Sequence, residues 1–293
     1  MTRLIAVGEP LVRLSPPVGV PIDGAQTLDL HVGGAACNVA VAAAGLGIDA
    51  VLAAAIADGP LGDRIVRTLR AHGVVPQVVR AEQGRVGCYW TEDVGGHRVY
   101  YDRSGTPMAG VDGATLTSSL EFEAAELVYY SGIVPALGAT ATSTATDVLA
   151  AAQDAGCRTV VDANYRRQLW TAAEAQEAYA ALFAHTDIIV IAARDAERVF
   201  AVDATPVGIA QQLQERYAAE TVICTRGDDG AVGVDVDGDV HEQPAVTVRT
   251  RDPIGAGDAF VGAVCAALLR DMDLEAALAD GAAAAAIAPT TVG

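Results

Sequence analysis

Short, almost uninterrupted apolar runs alternate along the chain with longer, Ala-rich stretches that read as helices. The runs are Leu4–Val7, Ala50–Ala55, Leu127–Ser131, Thr159–Asp162, Ile188–Ile191 and Thr221–Thr225. Apolar on both faces, they predict strands buried in a sheet covered by helices on each side. Helices are predicted at Ala36–Gly45, Leu61–His72, Thr140–Ala155, Ala173–Ala184, Pro206–Ala218, Gly257–Arg270 and Leu274–Ile287. Such alternation predicts an α/β chain with a doubly wound, mostly parallel sheet flanked by helices.

Two segments follow a different rhythm. Leu11–Leu14 with Thr27–Val32, and Arg85–Glu92 with His97–Arg103, alternate apolar and polar residues around Gly- and Pro-rich turns. They predict hairpins with one solvated face, and together a small antiparallel β-sheet lid built from about 9–33 and 84–106. The remainder of residues 1–293 forms the core of a single domain, without repeats or long linkers.

Composition narrows the function. The chain of 293 residues is 52% hydrophobic with a mean hydropathy of +0.30, so it can bury a large core. Asp and Glu number 37 against 19 Arg, a net charge of −18, which excludes the basic face of a nucleic-acid binder and docking on an anionic membrane. Lysine is absent. That absence excludes a Walker-type phosphate loop, Schiff-base chemistry and the protein-kinase fold. An acid surplus of this size predicts a protein that needs high salt for folding and activity, with GC-rich codon bias as the rival explanation. The five cysteines (Cys37, Cys88, Cys157, Cys224, Cys265) are scattered and never spaced CxxC, which predicts buried thiols in a reducing compartment. The first residues read as a strand rather than a signal peptide, and Val39–Ala57 is broken by Gly45, Gly47 and Asp49, so a cytoplasmic location is expected.

Three stretches carry candidate chemistry. In Arg251-Asp-Pro-Ile-Gly-Ala-Gly-Asp-Ala-Phe260, Gly255, Ala256 and Gly257 let successive amides converge at a helix N-terminus, an anion site that needs no lysine. Asp258 in the first turn suits a general base for an attacking hydroxyl, or, more plainly, a complement to the helix dipole. In Val32-Gly-Gly-Ala-Ala-Cys-Asn-Val-Ala40, Gly33 and Gly34 permit close backbone approach. Asn38 there offers a donor and an acceptor to a polyol, although a simple glycine turn explains the stretch equally well. The third, Asp162-Ala-Asn-Tyr-Arg-Arg-Gln-Leu-Trp170, leaves the carboxyl end of a buried strand, where open parallel sheets bind ligands. Arg166 could fork a carboxylate or phosphate there, or pair with a surface acid. The only asparagines in the chain, Asn38 and Asn164, both fall in these turns.

The pair GG-x-x-x-N near residue 35 and D-x-x-G-A-G-D-A-F at 252–260 resembles the two signatures of the ribokinase-like (PfkB) carbohydrate kinases, and the likeness spans the whole chain. The resemblance implies an α/β sandwich whose β-lid serves as a dimer or higher oligomer interface. It implies ATP and Mg2+, with a monovalent cation such as K+ near Asp252. Asp258 would be the catalytic base and the Gly255–Gly257 amides the hole for developing phosphoryl charge. Thr225-Arg-Gly-Asp-Asp-Gly-Ala231 is similar to the family's ATP-side turn, which places Thr225, Gly227 and Gly230, with Gly255 and Gly257, at the nucleotide.

Gly87-Cys-Tyr89 and Tyr100-Tyr101-Asp102-Arg103, with Asn164 and Arg166, resemble the 2-keto-3-deoxygluconate kinases, in which two tyrosines and two arginines embrace a keto-acid sugar. The substrate contacts so implied are Gly33, Gly34, Asn38, Tyr89, Tyr101, Arg103, Asn164 and Arg166. The expected reaction is phosphorylation of the terminal hydroxyl of 2-keto-3-deoxygluconate or its galacto epimer. The rivals are a fructokinase or nucleoside kinase of the same fold, and a non-catalytic sugar-binding protein. The family's N-x-x-E stretch reads Arg194-Asp-Ala-Glu197 here, which keeps Glu197 as the metal candidate and loses the Asn. The family's further C-terminal segment, with another acidic substrate ligand and a final helix, would lie beyond Gly293.

Overall fold

A computed structural model describes residues 4–290 other than 97, 203, 204 and 250. His97, the first residue of the expected strand His97–Arg103, the first three residues of the chain and residues 291–293 therefore lie outside the described residues. In chain order the elements are β1 (Leu4–Val7), β2 (Leu11–Ser15), β3 (Asp29–Gly33), α1 (Ala35–Gly45), β4 (Ala50–Ala57), α2 (Pro60–Ala71) and β5 (Val75–Ala81). Next come β6 (Cys88–Glu92), β7 (Arg98–Asp102), α3 (Pro107–Gly110), α4 (Gly113–Ser118), β8 (Leu127–Ser131), α5 (Ala139–Asp154), β9 (Arg158–Asp162) and α6 (Ala172–Phe183). The last are β10 (Ile188–Ala192), α7 (Ala193–Phe200), α8 (Pro206–Tyr217), β11 (Thr221–Thr225), β12 (Ala231–Val234), β13 (Val240–Gln243), α9 (Ala256–Leu268) and α10 (Leu274–Ile287).

Nine strands form one sheet in the order β13-β12-β11-β10-β9-β8-β1-β4-β5. All neighbours from β11 to β5 run parallel, and β12 and β13 close one edge antiparallel. Side chains alternate across this sheet, which divides the core in two. Ile5, Val7, Val128, Tyr130, Val161 and Ile191 face one layer with residues of α5, α6, α7 and α8. Leu4, Ala6, Leu127, Tyr129, Val160 and Val190 face the other, with α1, α9 and α10. The six predicted strands are all present, within two residues at every boundary.

Chain order reverses at β1, whose neighbours are β4 on one side and β8 on the other. Ligands in open α/β sheets bind at such a switch point, beyond the carboxyl ends of the strands. Here those ends deliver Glu9 after β1, Ser131 at the end of β8, Asp162 and Asn164 at β9, Ala192 at β10 and Thr225 at β11.

The lid is a separate four-stranded sheet, β3-β2-β6-β7. Each hairpin, β2–β3 and β6–β7, is antiparallel, and the two hairpins join through a parallel β2–β6 pairing. That register puts Leu11, Arg13 and Ser15 on the same face as Tyr89, Thr91 and Tyr101, directed at the core. Helices α1 and α9 pack closely enough that a Cβ at Gly262 would stand 2.8 Å from the carbonyl oxygen of Val39. This tight seam sets the N-terminal turn of α9 beside that of α1.

Candidate active site

The two motif helices bring their polar residues together. The Asn38 amide Nδ2 donates to Asp258 Oδ2 at 2.7 Å. Burial raises the Asp258 carboxyl above the ordinary aspartate value, offset in part by that hydrogen bond, by the Arg166 guanidinium and by the Asn164 amide. Gly255 caps α9 in the left-handed region at φ 84°, a conformation glycine adopts without strain. The first amides of α9 have no partner within the helix.

Across the cleft, Asn164 takes φ 47°, and its backbone N and side-chain Nδ2 both donate to Asp162, at 3.1 and 3.2 Å. Asn is among the few residues that tolerate this region, and strain of this kind collects at functional sites. Asp162 is pushed up to about 7, first by burial and then by the negative charge of Asp258. Burial of Arg166 opposes its charge, but the hydrogen bond to Tyr101 and the nearby Asp258 and Asp162 outweigh it and hold the guanidinium above its ordinary value.

A cavity of about 970 Å³ collects these groups under the lid. Of the expected substrate contacts, Gly34, Asn38, Tyr89, Tyr101, Arg103, Asn164 and Arg166 line it, together with Gly255, Gly257 and Asp258. Gly33 does not. The Tyr89 hydroxyl covers it, and a Cβ there would stand 2.5 Å from that oxygen, so this glycine makes room for the tyrosine. Six of the 19 arginines line the cavity, including Arg98, Arg167, Arg194 and Arg198. Glu9, Asp162, Asp195 and Asp258 line the same cavity, so its wall holds two more formal positive charges than negative ones in a chain whose net charge is −18.

Three buried polar atoms on the cavity wall lack a partner: Glu9 Oε1, Arg103 Nη1 and Asn164 Oδ1. Unpartnered buried groups are costly, and a ligand rich in hydroxyls would satisfy them. Arg103 is less free than expected, because its Nε donates to Glu9 Oε2 at 2.6 Å in a pair only 3% exposed on each side.

A second cavity, of about 1040 Å³, lies on the far side of the α9 N-terminus. Thr225, Gly227, Gly230, Ala256 and Gly257 line it. Thr225, Gly257, Ala192, Arg194 and Pro253 border both cavities, so the two meet beside Asp258.

Two expectations need correction. Glu197 lies on the exposed face of α7 and lines neither cavity. Asp195, two residues earlier and on the buried face, lines the first cavity instead, its carboxyl raised by burial. Among the described residues no cluster of three or more His, Cys, Asp or Glu could hold a metal ion. The position near Asp252 expected for K+ is occupied by a guanidinium: Arg13 Nη1 stands 2.5 Å from Asp252 Oδ2.

A model of the pfkB family carbohydrate kinases matches residues 1–293. The chain belongs to this family. Within it, a 2-dehydro-3-deoxygalactonokinase of Haloferax volcanii is 40% identical over 294 residues, covering 99% of this chain and 92% of its own. A crystal structure of the 2-dehydro-3-deoxygluconokinase of Thermotoga maritima is similar with a TM-score of 0.90 at 27% identity, covering 100% of this chain and 95% of that chain. The ATP-bound fructokinase of Xylella fastidiosa shares the fold, with a TM-score of 0.84 at 22% identity over 100% of this chain and 94% of that chain. No helix of the described residues is long and apolar enough to cross a membrane.

Sequence reasoning passed over Glu9, Ser131, Asp195 and the junction position of Arg194. The first two follow β1 and end β8, so the carboxyl-edge rule could have found them. Asp195 needed the phase of α7, which eight residues barely define.

Proposed function

We propose that the protein is an ATP-dependent kinase that phosphorylates the terminal hydroxyl of a 2-keto-3-deoxy sugar acid. The observation that carries this reading is the junction of an arginine-lined, polar cavity with a second cavity at the N-terminus of α9, with Asp258 at the meeting point. The sugar acid would lie under the lid with its carboxylate toward Arg166 and Arg103, and its hydroxyls toward Asn38, Asn164 and Ser131. ATP would lie in the second cavity against Thr225, Gly227 and Gly230, with its terminal phosphate at the α9 amides.

In the transfer, Asp258 takes the proton of the attacking hydroxyl as that oxygen bonds to the γ-phosphorus, and ADP departs with the electrons of the broken bond. A carboxyl raised toward neutrality is the stronger base when ionised. The amides of the first turn of α9 stabilise the charge that builds on the phosphoryl oxygens. Exposed Arg194 borders both cavities and adds a charge that no lysine of this chain could supply. Mg2+ would need only one or two carboxylates near the nucleotide phosphates, and Asp195, which lines the first cavity next to the shared residue Arg194, suits it better than exposed Glu197. When bound, it would screen the phosphate charge.

The Haloferax relative supports trying the galacto epimer first, and the Thermotoga neighbour the gluco epimer second. The outer face of the lid carries half-buried Leu14, Leu30 and Trp90 with exposed Tyr100, which supports self-association there. A coupled ADP-release assay over both keto-deoxy acids, fructose and nucleosides tests the reading. It stands if the keto-deoxy acids have the highest kcat/KM, and falls if fructose does.

A further inference from the structure

The loop that precedes the α9 amides is tied down by a residue of the lid. Asp252 is buried, and its two oxygens are both engaged. Oδ1 accepts from the backbone N of Ile254 at 3.1 Å, and Oδ2 accepts from Arg13 Nη1 at 2.5 Å. The backbone N–H groups of Arg251 and Asp252 both donate to the carbonyl of Pro289, at 2.7 and 3.1 Å. Arg13 is equally fixed from its own side, since its Nε donates to Ser15 Oγ at 2.9 Å and reaches Thr91 Oγ1 at 3.4 Å. Ser15 and Thr91 bond to each other at 2.8 Å. Both side chains of the ion pair are 7% exposed.

A monovalent cation beside Asp252 would compete with this guanidinium for one carboxylate and repel it at close range. The nearby Pro289 carbonyl, a natural cation ligand, already accepts two N–H groups. Among the described residues, the donor set beside Asp252 therefore does not fit K+. We propose that Arg13 acts as a built-in cation that positions the Asp252–Gly257 loop from the lid, so that phosphoryl transfer requires no monovalent cation. The inference rests on the kinase reading, and it makes Arg13 a positioning residue, separated from the α9 amides by the length of one loop. A guanidinium suits this task, because its planar fork binds the carboxylate and the two hydroxyls in fixed directions.

The test replaces KCl stepwise by choline chloride at constant total salt, with circular dichroism in the same buffers so that rates refer to folded enzyme. The expected rate per folded molecule stays within about twofold down to trace K+. Saturable activation by K+ of tenfold or more would overturn the proposal, whereas no ADP release under any salt would instead remove the kinase reading beneath it. Arg13→Gln provides a second readout. Its kcat is expected to fall tenfold or more while the Kd for ADP, measured by calorimetry, changes less than threefold. An unchanged kcat, or a loss of ADP affinity as large as the loss of kcat, would contradict a positioning role. Should the variant fail to fold, the cation replacement on the unaltered enzyme still decides the matter.

Discussion

Asn38 donates its side-chain amide to Asp258 at 2.7 Å, joining two motifs that lie 220 residues apart in the chain. The bond favours the ionised carboxylate and so opposes the effect of burial on its proton affinity. Asp258→Asn is expected to lower kcat by ~10²–10⁴ with little change in nucleotide affinity, the usual worth of a general base. Asn38→Ala removes a bond to the charged form, so Asp258 should hold its proton to higher pH. The rising limb of kcat against pH should then move upward in the variant, and an unmoved limb would separate Asn38 from the base.

The Glu9–Arg103 pair is buried on both sides, so its loss should register first as instability. Arg103→Leu leaves an unpaired carboxylate in the interior, which costs about 3–5 kcal/mol in comparable cases. Thermal unfolding should show a large drop in Tm for Arg103→Leu and a recovery in the double variant Arg103→Leu/Glu9→Leu. An equal Tm for single and double variants would mean that solvent reaches Glu9.

Asp162 carries the clearest pH signature of the fold. Its carboxyl is raised to about 7, so the folded state prefers the protonated form more than the unfolded chain does. The stability it confers is complete below the ordinary aspartate value of 3.8 and is lost as pH rises through about 7. Asp162→Asn mimics the protonated form at every pH. The variant should match the parent in Tm near pH 4 and exceed it above pH 7, and a constant difference across the range would refute the assignment.

Much of this fold is legible in the sequence, because the interior strands are continuous apolar runs and the stretches between them are long and rich in Ala, a strong helix former. The misses have physical reasons. Edge strand β5 contains Pro76, Gln77 and Arg80, so it lacks the run that marks a doubly covered strand. The strands β12 and β13 are four residues each, one of them half exposed. At the site, residues within a motif could be read locally, as with Asn38, Asn164, Arg166 and Asp258. Contacts across the chain could not. Nothing near Arg13 announces Asp252, which lies 239 residues away, and nothing near Arg103 announces Glu9, 94 residues earlier.

The charge of −18 gives a bulk prediction. Self-repulsion among surface acids falls as the screening length shrinks from roughly 10 Å at 0.1 M salt to roughly 3 Å at 1 M. Tm should therefore rise steadily between those salt concentrations. A flat response would favour codon bias over salt adaptation as the source of the acidity.

The claim at the centre of this account is that the arginines under the lid read a substrate carboxylate. It is tested most directly by measuring kcat/KM for 2-keto-3-deoxygalactonate, 2-keto-3-deoxygluconate and a neutral hexose with the parent enzyme and with Arg166→Leu. A hydrogen bond to a charged group is worth ~1.5–3 kcal/mol, or roughly ten- to a hundredfold. The account predicts that the variant loses this factor on the acids through KM and almost nothing on the neutral sugar. Equal losses on acid and neutral sugars would contradict it, and would make Arg166 a partner of the phosphates or of Tyr101.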